Sequence, residues 1–138
     1  MGRFVLGHGR SYRPQRPDLL QPHILRSLAN VQVTSIHTSP CGCHCIVLDT
    51  DGTAWLFGRN NYSALGVAGV DEVSENGPKH VVPTQIKAAK GTRFVHAACG
   101  RTHSLLVGSG GELWSAGLNN FGQVRVLYHP QGRCRVES

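Results

Sequence analysis

The 138-residue sequence predicts an all-β fold built from repeated antiparallel sheets. Three observations carry that reading. A ten-residue phrase is written twice, as "LFGRNNYSAL" from Leu56 and as "SAGLNNFGQV" from Ser115. Around it, many positions agree at a constant offset of 59 residues, as between His44 and His103. Self-similarity at a period of tens of residues marks a stack of similar units. Finally, short apolar runs rich in β-branched and aromatic residues alternate with glycine-bearing turns.

The elements follow in chain order. Residues 1–21 form a basic arm whose "LGHG" (Leu6–Gly9) resembles "LGVAG" (Leu65–Gly69), the remnant of a preceding repeat. The first repeat covers 22–66. Its opening, "DLLQPHILRSLANV", looks helical, but Pro22 interrupts the pattern, and the stretch reads as coil with one extended piece. "VQVTSI" (Val31–Ile36) and "CHCIVLD" (Cys43–Asp49) read as strands. Asp51-Gly52 then supplies a hairpin turn into the aromatic-bearing run that ends at Gly58. Residues 67–80, "VAGVDEVSENGPKH", are polar with Gly69, Gly77 and Pro78, the composition of a loop insertion. The second repeat, 81–123, writes "RFVHAA" as a strand and "HSLLVGSGGELWSAG" as a hairpin turning at Gly110-Gly111. Its head, "PTQIKAAKGTRFVHA" from Pro83, resembles "PHILRSLANVQVTSI" from Pro22 at an offset of 61.

The matched positions have structural work to do. Gly52 and Gly111 suit turns that need positive φ, and Gly58 and Gly117 suit a strand end where another backbone comes close. Asn60 and Asn119 suit turns whose side-chain amide bonds nearby backbone groups. Trp55 and Trp114 lie on strand faces that a neighbouring unit must cover, because one small sheet cannot bury itself. Gly42 with His44 and Gly100 with His103 open the two hairpins, while Gly66 and Gly122 fall just after the Asn pairs.

Composition excludes several classes. No apolar run approaches the roughly 20 residues of a membrane helix, and the N-terminus lacks the apolar core of a signal peptide, so an intracellular chain is expected. The five cysteines, an odd number, do not suggest a disulfide framework. Cys41, Cys43 and Cys45 would share one strand face, with Cys99 as a fourth thiol, but C-x-C-x-C is not the usual zinc spacing and these residues read as small buried hydrophobes. Phosphate-binding glycine loops and the HExxH zinc motif are missing, so no catalytic residue, metal or cofactor is assigned and the chain is read as a non-enzyme. Part of the net charge of +6 sits in arginines near the ends, Arg3, Arg10, Arg13 and Arg16, then Arg125, Arg133 and Arg135. Such arms can hold phosphate backbones, although no base-reading motif accompanies them.

Taken together, "CGRTHSLLVGSGGELWSAGLNNFGQ" (Cys99–Gln123) and "CGCHCIVLDTDGTAWLFGRNNYSALG" (Cys41–Gly66) resemble the repeat of the regulator of chromosome condensation family, with a lean toward its second type in "AACGRTH" (Ala97–His103). The first copy departs from the pattern: it is one residue shorter between glycine and histidine and has Ser63-Ala64 in place of Gly-Gln. The resemblance implies a β-propeller whose blades are four-stranded antiparallel sheets, of which this chain holds about two, not a closed ring. It further implies a protein-interaction scaffold, part of an exchange factor for a small GTPase in the most specific version, located in the nucleus rather than the cytoplasm. A chromatin or nucleic-acid adaptor bound through the basic N-terminal arm is the alternative. A protein partner is expected, with no membrane and no small-molecule substrate.

The second copy loses its ending. Where Leu-Gly should follow Gln123, the chain reads Val124-Arg125-Val126 and the repeat character stops. Residues 124–138 are read as a non-repeat basic tail, and as translated intron, since Gln-Val-Arg is encodable across a splice junction; a divergent natural tail is the alternative. Two open wedges are expected to leave apolar strand edges exposed.

Overall fold

The structure, a computed structural model, describes residues 21–60, 64–66, 80–86 and 91–122. Most of the arginine-bearing arm expected over 1–21, all but His80 of the loop insertion expected over 67–80, and the tail expected over 124–138 lie outside the described residues. Among the described residues no helix is long and apolar enough to cross a membrane.

Among the described residues, seven strands build two antiparallel sheets that do not close on each other. The first sheet runs β1 (Val33–His37), β2 (His44–Asp49), β3 (Ala54–Arg59) and β4 (His80–Gln85), paired in that order. The second has β5 (Phe94–Cys99), β6 (His103–Gly108) and β7 (Leu113–Gly117). Both central hairpins turn where glycine permits positive φ, at Gly52 (φ 77°) and Gly111 (φ 87°). Their registers are the same: His44 lies opposite Gly58 and His103 opposite Gly117.

The sheets differ from the sequence reading in three places. His80–Gln85, which straddles the boundary drawn between loop insertion and second repeat, pairs with β3 as the last strand of the first sheet. Repeat and sheet are therefore out of phase. The hairpin residues set the repeat signature, whereas a single edge strand interrupted by Pro83 carries little of it. The second sheet has three strands among the described residues, not four. In the segment after Pro22 the only regular piece is a 3-10 turn at Arg26–Leu28, where an extended piece was expected.

The core lies between the sheets. Ile46, Leu48, Ala54, Leu56 and Leu65 from the first unit join Phe94, Ala97 and Leu106 from the second in one buried cluster. Period-2 alternation puts Ile46 and Leu48 on the face of β2 toward the second sheet, with Leu56 opposite Ile46 on β3. Phe94 and Trp114 meet edge to face at 6.2 Å, within the range of a favourable aromatic pair. Burying a side chain such as Leu106 contributes roughly 1.5–3 kcal/mol, so the seam between the sheets is the main source of stability.

Leu106, 2% exposed, should therefore be far more sensitive than Ile36, 63% exposed on β1. Urea titration of Leu106→Ala is expected to lose about 2–5 kcal/mol, and of Ile36→Ala under about 0.5 kcal/mol.

Candidate functional site

The densest constellation of signature residues forms a joint that locks one sheet onto the next. His44 is 1% exposed and its Nε2 lies 2.9 Å from the Ser104 hydroxyl. Ser104, fully buried, donates its single hydroxyl proton to the Ala64 carbonyl at 2.7 Å. A hydroxyl has one proton to give, so Ser104 must accept from His44. That fixes the imidazole as the Nε2–H tautomer.

The Ala64 carbonyl is itself held in place. Asn60, 2% exposed, accepts the Leu65 N–H through Oδ1 at 3.0 Å, and Leu65 fills the core beneath. A β-carbon on Gly66 would stand 3.0 Å from that of Ala116, so the loop rests directly on β7. Gly58 (φ 112°) lies against the start of β2, where a β-carbon would meet the Cys43 carbonyl and His44 Cα at 2.7 Å. Asn60, Leu65 and the two glycines thus deliver one carbonyl to one hydroxyl.

A second tie joins the outer turns. The Phe94 N–H donates to the Gly52 carbonyl at 2.7 Å, and the Arg93 guanidinium reaches the Thr50 carbonyl at 3.1 Å. On the far side, His37 of β1 and His96 of β5 stack edge to face at 5.1 Å. Burial, and then the neighbouring His96, hold the His37 pKa below the ordinary histidine value. Burial, and then His103, do the same to His44.

The two copies of the signature have different surroundings. Trp55 donates its indole N–H to Asp49 at 2.9 Å. Burial opposes charge on Asp49, but hydrogen bonds from Trp55, Thr53 and Asp51 outweigh it and hold the carboxyl below its usual range. Gly108 replaces Asp49 at the 59-residue offset, and the buried Trp114 indole N–H has no hydrogen-bond acceptor among the described residues. Asn60 is buried whereas Asn119 is exposed; His44 is buried whereas His103 is half-buried. A side chain on Gly52 would meet Arg93, but Gly111 and Gly122 face open space. At Gly100 a side chain would collide with the His103 ring, and on Gly42 it would crowd Ser39. Gly117 (φ 119°) packs on the backbone of Thr102 and His103 as Gly58 packs on His44.

The cysteines do not converge. Strand β2 begins at His44, so Cys41 and Cys43 precede it, and Cys41 is exposed. Among the described residues no three His, Cys, Asp or Glu side chains are grouped to hold a metal. Burial, with Cys45 nearby, pushes the Cys99 thiol up to about 11, and it donates to the His37 carbonyl at 3.3 Å. Such a thiol packs rather than reacts. Sequence reading singled out His44 and Asn60 but missed Ser104 and Arg93, the partners from the other sheet. Ser104 carried one usable signal: it follows a histidine on a strand and must therefore face the opposite way.

Ser104→Ala should leave His44 and the Ala64 carbonyl buried without their partner, at a cost of about 1–3 kcal/mol in urea titration, with Ser104→Thr tolerated better. The histidines give a pH dependence of definite sign. Both His37 and His44 take up a proton at lower pH when folded than when unfolded, so the unfolded chain binds more protons. Stability is full above about pH 7.5 and falls as the pH drops through about 6.5, the unfolded value. The urea midpoint should begin to fall near pH 6.5 and go on falling below it, and His96→Gln should lessen the fall.

Comparison with known proteins agrees with this architecture. The signature described as "Regulator of chromosome condensation (RCC1) repeat" matches residues 51–107, and a second signature of the same description matches 94–123. The Xenopus laevis "Protein RCC2 homolog" is 34% identical over 114 residues, 83% of this chain and 21% of that protein. The dog X-linked retinitis pigmentosa GTPase regulator is 37% identical over 81 residues, 59% of this chain and 7% of that protein. Among solved structures, Prp20p from Saccharomyces cerevisiae superposes with a TM-score of 0.60 at 20% identity, over 85% of this chain and 27% of that one, a likeness of fold. The chain spans about a fifth of the length of the RCC2 relatives it matches. Two sheets, a joint between signature residues of the first copy and partners from the second, and these matches together place the chain in the regulator of chromosome condensation repeat family, on its RCC2-like side.

Proposed function

We propose that the chain serves as a protein-interaction scaffold, as part of an RCC1-type propeller. One observation carries this reading: the first strand of each sheet keeps large apolar side chains in solvent. Ile36 and Val33 on β1 are 63% and 49% exposed, and Val95 on β5 is 59% exposed. The signature residues are occupied in holding the sheets together, which leaves the strand edges and loop tips for partners. Scattered exposed apolar residues are ordinary. Here they sit on strands in contact with each other, β1 and β5, beside the His37–His96 pair.

The finer version is part of a nucleotide-exchange factor for a small GTPase. It is supported by the similarity to a protein named as a GTPase regulator. The arginines of residues 3–16 favour a second reading, chromatin or nucleic-acid contact. Release of a fluorescent guanine nucleotide from a panel of purified small GTPases separates these. A scaffold binds one or more of them without speeding release, whereas an exchange factor raises the rate at least about tenfold. For nucleic-acid contact, affinity must fall steeply between about 50 and 200 mM salt, and lose that slope when the four N-terminal arginines are replaced by serine.

A further inference from the structure

The repeat asks for neither histidine of the pair on the far side of the seam. At the offset of 61 residues that aligns the strand heads, His37 falls on Ala98 and His96 falls on Ser35. Each histidine follows an irregularity of its strand: β1 shifts register between Val33 and Ser35, and β5 between Phe94 and His96. A bulge re-aims the side chains beside it. The two strands touch, and the rings of His37 and His96 come to 5.1 Å between centroids with their planes 86° apart. The pair therefore spans both sheets without belonging to the joint of His44, Ser104 and the Ala64 carbonyl.

Its chemistry is that of a ligand set. Ser35 Oγ lies 3.0 Å from His37 Nε2. A hydroxyl that accepts from Nε2–H leaves the Nδ1 lone pair for another partner and fixes how the ring sits, as the outer hydrogen bonds of metal-binding histidines do. Burial and His96 both oppose a proton on His37, which favours the neutral ring that a metal needs. Among the described residues the carboxylates Asp49, Asp51 and Glu112 belong to the hairpin turns, and Asp49 stands opposite Val33, at the other end of β1 from His37. A tetrahedral cation about 2.1 Å from one nitrogen of each ring sets the ring centroids roughly 5 Å apart. The spacing of His37 and His96 meets that requirement. Imidazole χ2 is a soft torsion, so each ring brings a nitrogen to the shared point without moving its strand. His44 offers a contrast: it is sealed in the seam and its Nε2 is committed to Ser104.

We propose that His37 and His96 form a two-imidazole site for a divalent transition ion of the zinc type, which clasps the first sheet to the second, with water in the remaining positions. Imidazole suits zinc, copper and nickel, whereas calcium and magnesium take oxygen ligands. The site exists only when β5 is seated against β1. An ion held there therefore stabilises the seated arrangement by mass action. The clasp goes beyond the scaffold reading and does not depend on it.

Zinc chloride added to the full chain is the probe, with magnesium chloride as control. The urea midpoint of the parent should climb with each tenfold rise in zinc and stay level in magnesium. Competition with a chromophoric zinc chelator gives the affinity. His96→Gln is expected to weaken it at least about tenfold, Ser35→Ala about tenfold, and His23→Gln not at all. The imidazole NMR signals of His37 and His96 should shift in step as zinc is added. His96 is exposed, so its replacement tests the site without disturbing the core. Equal zinc affinity in the parent and in His96→Gln overturns the proposal, as does a midpoint that rises equally in both. Saturation only above about 1 mM zinc overturns it too, since that marks an adventitious ion only.

Discussion

A buried imidazole, a serine hydroxyl and a loop carbonyl form the hydrogen-bonded chain on which the architecture turns. His44, Ser104 and Ala64 come from three separate stretches of sequence, and the chain exists only when the second sheet is seated on the first. Around it lies apolar surface drawn from both sheets. Neither sheet has a second layer of its own among the described residues, so each depends on the other to remove its hydrophobic face from water. The polar chain adds register to that adhesion. Oil-like contact between flat faces tolerates sliding, whereas a buried hydroxyl with one proton does not, because any shift leaves three polar groups without partners.

The joint also explains why identical-looking residues have different environments. Position 44 and position 103 are the same residue in the same hairpin, yet one is sealed and the other half-open. The difference is the neighbour and not the strand. A neighbour's contribution shows at another signature site too: a side chain on Gly52 would meet Arg93 of the second sheet, whereas Gly111 faces open space. Trp55 and Trp114 differ for a reason inside the hairpin, since Gly108 stands where Asp49 supplies the first indole's acceptor.

How far the amino-acid order discloses such a structure depends on how local the information is. Hairpins were legible, because Asp51-Gly52 and Gly110-Gly111 state their turns within a few residues and the flanking alternation states the faces. The strands at Val33–His37 and Phe94–Cys99 were legible for the same reason. β4 was not. It follows β3 only after 20 residues, its own pattern is spoiled by Pro83, and only its pairing reveals which sheet it completes. Likewise Asn60 could be assigned to a turn, but nothing local announced that it is buried and holds Leu65, beside the Ala64 carbonyl that Ser104 meets from 40 residues later. Ser104 and Arg93 act across the seam, and no pattern within one repeat announces a partner in the next.

Adjacent letters in this chain serve different masters. His103 and Ser104 are neighbours on one strand, but alternation turns the serine back toward the unit before it and the histidine away from that unit. A hairpin of this pattern thus turns unlike faces to the units on its two sides, and no cut in the polypeptide separates them. Transplanting one whole wedge from a cousin would replace a left half and a right half at once, each having drifted with a neighbour left behind. Correlated substitutions should accordingly link residues about sixty positions apart sooner than residues that touch in sequence.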